Sequence, residues 1–299
     1  MIPSYTEILT LGSSGTELIF NGPVVIQEKV DGSQFRFGKN ADGELVFASH
    51  HADIYTETCP KEFRLAVDHI ESVWHQADPP PDIYFYCEYL AKPRHNTLAY
   101  DQVPKNHLVL FGGSSSGFYF AEPDIRHWAE RLEIDAIPEL YAGVATVDQV
   151  KEFLTTTTYL GGPMIEGVVI KNYTQQLMIR GRLQPLFAKL VRDDFKERNG
   201  AEWKGKKGGK GEIQSFVDSF NTEARMRKAV QHLSEAGELE HSPRDIGKLM
   251  KAVYEDVVNE ETPDIKEGLY KLYIKQIVRA AQRGLPEWYK AQLIDRIEE

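Results

Sequence analysis

The segment EKVDGS (28–33) places Lys29 two residues before Asp31, where one short apolar run ends and the next begins. A lysine amine is a nucleophile only when it is neutral, and burial or neighbouring cations can lower its pKa enough for that. Its attack on the α-phosphate of a nucleotide would leave a lysyl phosphoramidate. Gly32 would let the backbone approach a ligand closely. Taken alone, such a segment is most often a surface turn in which Asp-Gly makes the bend.

Other charged residues lie in runs that are otherwise apolar. Glu88 is inside IYFYCEYL (83–90), Glu166 precedes a Gly-Val-Val-Ile run that ends at Lys171, and Lys189 is within LFAKLV. Charged groups are costly in such strands unless they are paired, metal-bound or facing a ligand cavity. Several of them in one half of the chain predict a site.

Composition narrows the class of protein. The 299 residues carry 45 acidic side chains and 35 Lys plus Arg, a formal charge of −10, with 41% hydrophobic residues. This is ordinary for a globular protein of about two domains, and no apolar run is long enough for a membrane span. Two cysteines are too few for a disulfide scaffold and indicate a cytoplasmic or other intracellular setting, with a phage origin left open. The negative charge argues against indiscriminate nucleic-acid binding but allows a local basic channel.

The first two hundred residues mix short β-type runs with helical segments. Several runs flank turn signals such as NADG (40–43) and GGSSSG (112–117), which indicates antiparallel hairpins. Helical periodicity occurs at 61–76, 124–132 and 147–155. This mixture predicts an α+β domain at 1–202. The predicted strands are 24–30, 33–39, 44–50, 83–90, 107–113, 117–122, 166–173, 176–182 and 187–191.

The sequence pattern changes after a Gly/Lys-rich stretch at 203–212, which we interpret as a linker. Beyond it the residues are almost wholly helical in pattern, which predicts a helical C-terminal domain at 213–299. Ser242-Pro243 and Thr262-Pro263 are typical helix starts. The predicted helices are 213–236, 243–259, 263–283 and 286–298.

The order of these residues resembles a known group of enzymes. Lys29-Val-Asp-Gly32, Glu88, Phe111, Glu166-Gly167 with Lys171, and Lys189 match in sequence the motifs of the covalent nucleotidyltransferases, the superfamily of polynucleotide ligases and mRNA capping enzymes. Within it, residues 24–197 look most like the RNA ligase 2 family of ATP-dependent RNA ligases. The resemblance implies an α+β fold, with a nucleotidyltransferase (ATP-grasp-like) antiparallel-sheet domain followed by an all-helical C-terminal domain.

The resemblance also implies a role for each matched residue. Lys29 would be the nucleophile that becomes adenylylated, and Glu28 would contact the adenine side of the pocket mainly through its main chain. Phe111 would stack on adenine, and Glu88 would contact the ribose hydroxyls. Glu166 would bind a metal ion during the phosphoryl steps. Lys171 and Lys189 would lie near the phosphates and neutralise their charge.

The chain departs from the family's pattern around the phosphate channel. The arginine that commonly follows the nucleophile by about twenty residues is missing, and either His50 or Arg36 would take its substrate-phosphate role. Gly112 follows Phe111 where an aspartate is common, and Val191 replaces a second lysine, although Arg192 is adjacent. Arg94 is a further candidate for contact with RNA.

The function implied is ATP-dependent joining of RNA ends. ATP would donate AMP to the enzyme, AMP would pass to a 5′-phosphate, and a 3′-hydroxyl would displace it, with Mg²⁺ or alternatively Mn²⁺ as the metal. We expect a monomer without membrane contact, and either a nicked duplex or single-stranded ends as RNA substrate. The alternatives are a DNA ligase or mRNA-capping-type nucleotidyltransferase, or a non-catalytic nucleic-acid-binding relative. The first two usually append a β-barrel, whereas residues after 212 read as helical.

Overall fold

A computed structural model describes residues 2–50, 52–179, 181–192 and 210–298. Two sheets dominate the first half of the chain. The first has five strands in the order β1-β12-β11-β2-β10, and all its neighbours are antiparallel except β1 and β12. Its strands are β1 (Ile8–Thr10), β2 (Val24–Lys29), β10 (Glu139–Gly143), β11 (Gly167–Ile179) and β12 (Arg182–Val191).

The second sheet has seven strands. Six follow the antiparallel order β5-β4-β3-β6-β7-β8, and β9 pairs in parallel with β7. Its strands are β3 (Ser33–Lys39), β4 (Leu45–Ser49), β5 (Asp53–Ile54), β6 (Ile83–Tyr89), β7 (Leu108–Ser115), β8 (Phe118–Tyr119) and β9 (Asp135–Ala136). Because β2 ends in the first sheet and β3 begins in the second, the turn at 30–32 carries the chain from one sheet to the other.

Helices cover the outer faces of both sheets. In α1 (Arg64–Ala77) the buried side chains recur at three- and four-residue spacing, which gives the helix one apolar face. That face and α2 (Glu122–Arg131) pack on the second sheet, while the first sheet buries a separate core that includes Val150 of α3 (Val147–Phe153). A smaller cluster joins Val30 of the turn to Val109 of β7. Short 3₁₀ helices lie at Thr56–Thr58, Lys105–His107 and Pro243–Asp245.

The C-terminal region is helical, and it differs from the sequence prediction at two places. The predicted helix at 213–236 is two helices, α4 (Lys210–Asp218) and α5 (Glu223–Glu235). The predicted break at Thr262-Pro263 is wrong, because α6 (Ile246–Ala281) runs through it and α7 (Leu285–Glu298) follows. Pro263 removes one main-chain hydrogen-bond donor from this helix. In the same turn, the hydroxyl of Thr262 donates to the carbonyl of Val258 at 2.6 Å and adds a side-chain hydrogen bond.

The predicted strands at 166–173 and 176–182 form a single strand, β11. Its register with β12 shifts between Asn172 and Gln176, so a bulge and not a hairpin separates the two halves. The side chain of Asn172 stabilises the bulge, since its Oδ1 accepts from the amides of Thr174 and Gln175. The predicted strand at 117–122 is shorter than expected because Glu122 already begins α2.

The chain divides into two compact units. One consists of Met1–Lys196 and Ala224–Ala252, and the other of Glu197–Glu223 and Val253–Glu299. Residues 224–252 therefore group with the sheets although they follow the predicted linker. In the second unit, Gly268 lacks a Cβ and so admits the ring of Phe216. Residues 203–209 of the linker lie outside the described residues, and the domain boundaries at 202 and 213 stay predictions.

The fold class is the one predicted, α+β with antiparallel-rich sheets followed by a helical region. Among the described residues, no helix combines the length and apolar character needed to cross a membrane.

Candidate active site

The end of β2 and the start of β11 bring together two residues predicted to act in catalysis. Lys29 is the ladder partner of Gly167, so Glu166 lies beside the lysine. Lys29 Nζ donates to Glu166 Oε2 at 2.7 Å. Glu166 is only 8% exposed, whereas the side chain of Lys29 is 29% exposed, so the pair is buried on the carboxylate side and open to solvent on the lysine side. The pairing of the two strands, and not proximity in the sequence, forms the pair.

The charges around Lys29 favour its ammonium form. Burial alone would lower the pKa of Lys29, but the carboxylates of Glu166 and Glu88 outweigh burial and raise it. The lowered pKa that a nucleophile needs is therefore absent from this state of the site. Binding of a group that neutralises these carboxylates would lower the pKa of the lysine again.

Glu88 occupies the same pocket from the second sheet. Burial raises the pKa of Glu88 to about 8, since the attraction of Lys29 only partly offsets burial and Glu166 adds repulsion. Glu88 Oε1 accepts a hydrogen bond from the Gly32 amide at 3.1 Å. A Cβ on Gly32 would lie 2.8 Å from Glu88 Cγ and 2.7 Å from the carbonyl oxygen of Tyr89. The glycine therefore permits close approach of β6, not of a ligand as the sequence suggested.

Asp31 organises the loop that follows β6. Its Oδ2 accepts from the amides of Thr97 and Leu98, each at 2.8 Å. Its own amide donates to the hydroxyl of Tyr100 at 2.7 Å. The sequence predicts only a turn at Asp31, and its role in holding a distant loop has no signal there.

Glu28 points away from Lys29 and is buried. Its carboxylate accepts from the hydroxyl of Thr158 and from the amide of Tyr159, which is 3.2 Å from Oε2. Burial raises the pKa of Glu28, and these two hydrogen bonds work against that rise. The side chain fixes the loop before β11, and the Glu28 amide donates to the carbonyl of Pro138 at 3.3 Å. The contact of the Glu28 main chain with adenine stays a prediction.

Phe111 lies in a bulge of β7. Tyr86 pairs with Gly112 and the next residue, Cys87, pairs with Leu110, so Phe111 is the extra residue between them. A bulged residue has no ladder partner. Its carbonyl oxygen instead accepts from Lys171 Nζ at 2.6 Å, a bond that joins the two sheets.

Lys171 is buried, with 1% of its surface exposed. Burial lowers the pKa of Lys171 to about 8, although Glu122 raises it in part. The carboxylate of Glu122 lies 4.0 Å from the Lys171 ammonium and also accepts from Gln27 Nε2 at 2.7 Å and from the hydroxyl of Tyr173 at 3.2 Å. Lys171 was predicted to lie near the phosphates. The structure places its ammonium against the carbonyl oxygen of Phe111, the residue whose ring is predicted to stack on adenine.

Tyr5 is a further neighbour of Phe111. Its ring meets that of Phe111 edge to face with centroids 5.3 Å apart. A Cβ on Gly112 would lie 2.6 Å from the Tyr5 ring. Glycine is therefore required after Phe111, where the family commonly has aspartate. Tyr5 has no signal in the sequence, because it precedes the first matched motif.

Lys189 and Arg192 approach the pocket from β12. Lys189 is half-buried and pairs with Val169 of β11. Burial raises the pKa of Glu166, and the charges of Lys29 and Lys189 counteract that rise. Arg192 Nη1 lies 3.4 Å from the carbonyl oxygens of Met164 and Ile165, and its amide donates to the carbonyl of Glu166. These contacts place Arg192 beside the segment that leads to Glu166.

The three remaining substrate candidates differ in their surroundings. The guanidinium of Arg36 is buried and donates to the carbonyl of Ser49 through Nε at 2.9 Å and through Nη2 at 2.5 Å. His50 is exposed, and its Nδ1 lies 3.1 Å from Gln34 Oε1. Arg94 is exposed in the loop after β6. Of the two candidates for the missing arginine, His50 is thus the one whose side chain reaches solvent.

The side-chain oxygens near Lys29 fit a divalent cation that is bound mainly by the phosphates of a nucleotide. Among the described residues, no cluster of three or more His, Cys, Asp or Glu side chains could hold a metal. Enzymes that act on nucleotides commonly bind Mg²⁺ through one or two carboxylates and the substrate's phosphates. Glu166 beside Lys29 provides such a carboxylate.

The solved structures to which this chain is similar include several ligases. A chain described as a candidate ATP-dependent DNA ligase from Aquifex aeolicus is 16% identical, with a TM-score of 0.43, over 86% of this chain and 66% of that one. An archaeal ATP-dependent RNA ligase is 15% identical, with a TM-score of 0.44, over 89% and 65%. The Naegleria gruberi RNA ligase E312A mutant with AMP and Mn is 12% identical, with a TM-score of 0.49, over 65% and 57%. This chain matches less than two thirds of the length of each.

The family assignment rests on the sequence. No curated protein sequence matches this chain significantly. The profile of the RNA ligase family matches residues 22–189, more than half of the chain, and this range includes Lys29, Glu88, Phe111, Glu166 and Lys189. The protein belongs to the RNA ligase family.

Proposed function

We propose that this protein is an ATP-dependent RNA ligase that joins a 3′-hydroxyl to a 5′-phosphate through AMP bound covalently to Lys29. The observation that supports this most is the placement of Lys29 against Glu166 and Glu88 in one pocket. The ammonium of Lys29 can bind the phosphates of a nucleotide, and the neighbouring carboxylate of Glu166 can bind the metal ion that accompanies them. Membership of the RNA ligase family supports the same reaction.

In the first step Lys29 Nζ forms a bond to the α-phosphorus of ATP. The bond from that phosphorus to the bridging oxygen breaks, and pyrophosphate leaves. Lys29 must first lose a proton, and the carboxylate of Glu166, 2.7 Å away, is placed to accept it. When bound, Mg²⁺ or Mn²⁺ would neutralise charge on the phosphates, with Glu166 among its ligands.

The next two steps transfer AMP and join the ends. An oxygen of the RNA 5′-phosphate attacks the phosphorus of the lysyl-AMP, the N–P bond breaks, and Lys29 is released. The 3′-hydroxyl oxygen then attacks the activated 5′-phosphate, AMP leaves, and the hydroxyl proton is lost. Splitting the reaction in this way gives each displacement a good leaving group.

Several groups around the pocket suit these substrates. We assign adenine to the face of Phe111 and the ribose to Glu88. Lys189, His50, Arg94 and Arg192 are candidates for the phosphates of ATP and RNA. We also propose that the protein works as a monomer in a reducing, intracellular compartment, which agrees with its two free cysteines.

The test is a joining assay with 5′-labelled, 5′-phosphorylated RNA supplied as a nicked duplex, a bridged break and free single strands. We expect joined product with ATP and a divalent metal, and none from Glu166→Gln, which keeps the shape of the side chain but not its charge. A DNA nick and a GTP reaction in parallel distinguish a DNA ligase or a capping-type enzyme. Joining of DNA alone, or no reaction on any RNA, would overturn the assignment.

A further inference from the structure

A helix from the C-terminal region contacts the turn that follows Lys29. This helix, α5, lies in the same compact unit as the sheets. The hydroxyl of Ser33 donates to the carboxylate of Glu235, across 202 residues of chain. Gln231 Nε2 lies 2.7 Å from Glu235 Oε1, 3.1 Å from Ser33 Oγ and 3.3 Å from the carbonyl oxygen of Gly32.

His95 fixes the direction of these hydrogen bonds. The amide of Ala91 donates to His95 Nδ1 at 3.0 Å, so the neutral ring carries its hydrogen on Nε2. His95 Nε2 lies 2.7 Å from Ser33 Oγ and donates to it. The hydroxyl therefore accepts from the loop after β6 and donates to α5, and its single hydrogen is committed to Glu235.

The carboxylate of Glu235 is buried in an unusual place. The residue is 8% exposed, and burial raises its pKa, while the hydrogen bonds from Ser33 and Gln231 counteract the rise. A buried carboxyl group is costly unless its hydrogen bonds are satisfied. Here the satisfying groups belong to α5 itself and to the residue that begins β3.

The contact reaches the proposed ribose site through one residue, Gly32. The Gly32 carbonyl accepts from Asn96 Nδ2 at 2.8 Å and lies within reach of Gln231, while the Gly32 amide donates to Glu88. Because a side chain on Gly32 would collide with Glu88, the two residues must be closely packed. A shift of this turn therefore displaces Glu88 and the end of the strand that carries Lys29.

We propose that α5 is a positioning element of the nucleotide-transfer step: Gln231 and Glu235 hold Ser33 and Gly32 so that Glu88 and Lys29 meet ATP in the reactive geometry. The inference rests on the proposed lysyl-AMP chemistry. Neither residue touches the nucleotide, and both act through the turn. Misplacement of a reacting group by about 1 Å can slow a reaction by about a hundredfold.

The test compares four variants of the full chain. Gln231→Ala and Glu235→Ala remove the contacts with the turn, and Glu235→Gln keeps an acceptor for Ser33. Ser234→Ala is the matched control, since this neighbour on α5 donates to Glu62 at 2.8 Å and not to the turn. The rate of lysyl-AMP formation is measured in single turnover as a function of ATP concentration, beside thermal unfolding.

We expect Gln231→Ala and Glu235→Ala to lower the maximal rate about tenfold, Glu235→Gln to recover most of it, and Ser234→Ala to leave it unchanged. Equal rates in Gln231→Ala, Glu235→Ala and Ser234→Ala would overturn the proposal. So would a Glu235→Gln variant as slow as Glu235→Ala.

Hydrogen–deuterium exchange over residues 30–34 provides a readout independent of activity. It should rise in Gln231→Ala but not in Ser234→Ala, and equal exchange in these two variants would also overturn the proposal. The two proposals can fail separately. If the wild-type protein forms no lysyl-AMP but exchange still rises in Gln231→Ala and not in Ser234→Ala, α5 holds the turn and the proposed function is wrong.

Discussion

Lys29 and Glu166 are 137 residues apart in the chain and form an ion pair of 2.7 Å. The pair exists because Lys29 ends β2 while Gly167 opens β11 directly opposite. Glu88 reaches the same place from the other sheet, held by the amide of Gly32. The site thus lies where the chain crosses between the sheets, so that strands from both sheets fix its geometry.

Replacing Phe111 with alanine should weaken ATP binding. If the ring stacks on adenine, the loss should be about 1 to 3 kcal/mol, the size of base–aromatic stacking in nucleic-acid binding. Isothermal titration with ATP measures it. Phe118→Ala is the control, since that ring is 79% exposed on the neighbouring β8. Equal affinity in both variants would remove Phe111 from the nucleotide site.

Replacing Lys171 with methionine should destabilise the fold as well as impair ATP use. The change removes the buried cation 4.0 Å from the Glu122 carboxylate and the donor to the Phe111 carbonyl. Removing one partner of a buried pair typically costs about 3 to 5 kcal/mol. Chemical denaturation of Lys171→Met, Glu122→Gln and the double variant measures this. We expect the double variant to be less destabilised than the sum of the two, because each single change leaves the other charge buried without its counter-charge. Strict additivity would contradict the pairing.

Glu88 should make the protein less stable as the pH rises. Its folded-state pKa of about 8 lies above that of an unfolded glutamate, so the folded protein holds a proton that the unfolded chain has lost. The contribution is fully present below about pH 4.5 and is lost as the pH approaches about 8. Glu88→Gln cannot ionise, and it should therefore gain stability relative to wild type between these pH values in urea titrations. A parallel pH dependence of the two proteins would show that Glu88 ionises normally.

Joining should depend on salt much more than self-adenylylation does. Although the chain carries −10 overall, residues 266–290 contain six Lys or Arg and two Glu. Lys171 is buried and Lys29 is paired, so neither belongs to an open basic groove, and the phosphate contacts must come from exposed cations. Raising salt from about 50 to about 200 mM should reduce RNA binding by about tenfold or more while ATP labelling changes little. Equal salt dependence of the two steps would contradict a separate RNA-binding surface.

The identity of the pocket residues could be predicted from the sequence, but much of their geometry could not. A charged residue inside an apolar strand, such as Glu88 or Lys171, must be paired or functional whatever the fold. The partner of Lys171 could not be predicted, because the free carbonyl of Phe111 arises from a bulge that depends on the pairing of β6 with β7. Arg36 has the same limitation, since the carbonyl of Ser49 that it binds belongs to another strand.

The role of α5 was also hidden in the sequence. Glu235 ends a polar helix and resembles a solvated residue, and only the packing of that helix beside Ser33 buries it. The local signal at Pro263 also differs from the structure, since the sequence favours a new helix there and the chain continues the old one.

The most direct test of this account is to locate the covalent nucleotide. The protein is incubated with α-labelled ATP and magnesium, digested, and analysed for a peptide that carries AMP in an acid-labile bond. We predict one modified residue, Lys29, loss of the label in Lys29→Ala, and retention in Lys39→Ala, which removes an ammonium bound to the carbonyl of Pro79 outside the pocket. Folded wild-type protein without label, or label that persists in Lys29→Ala, would contradict the central claim.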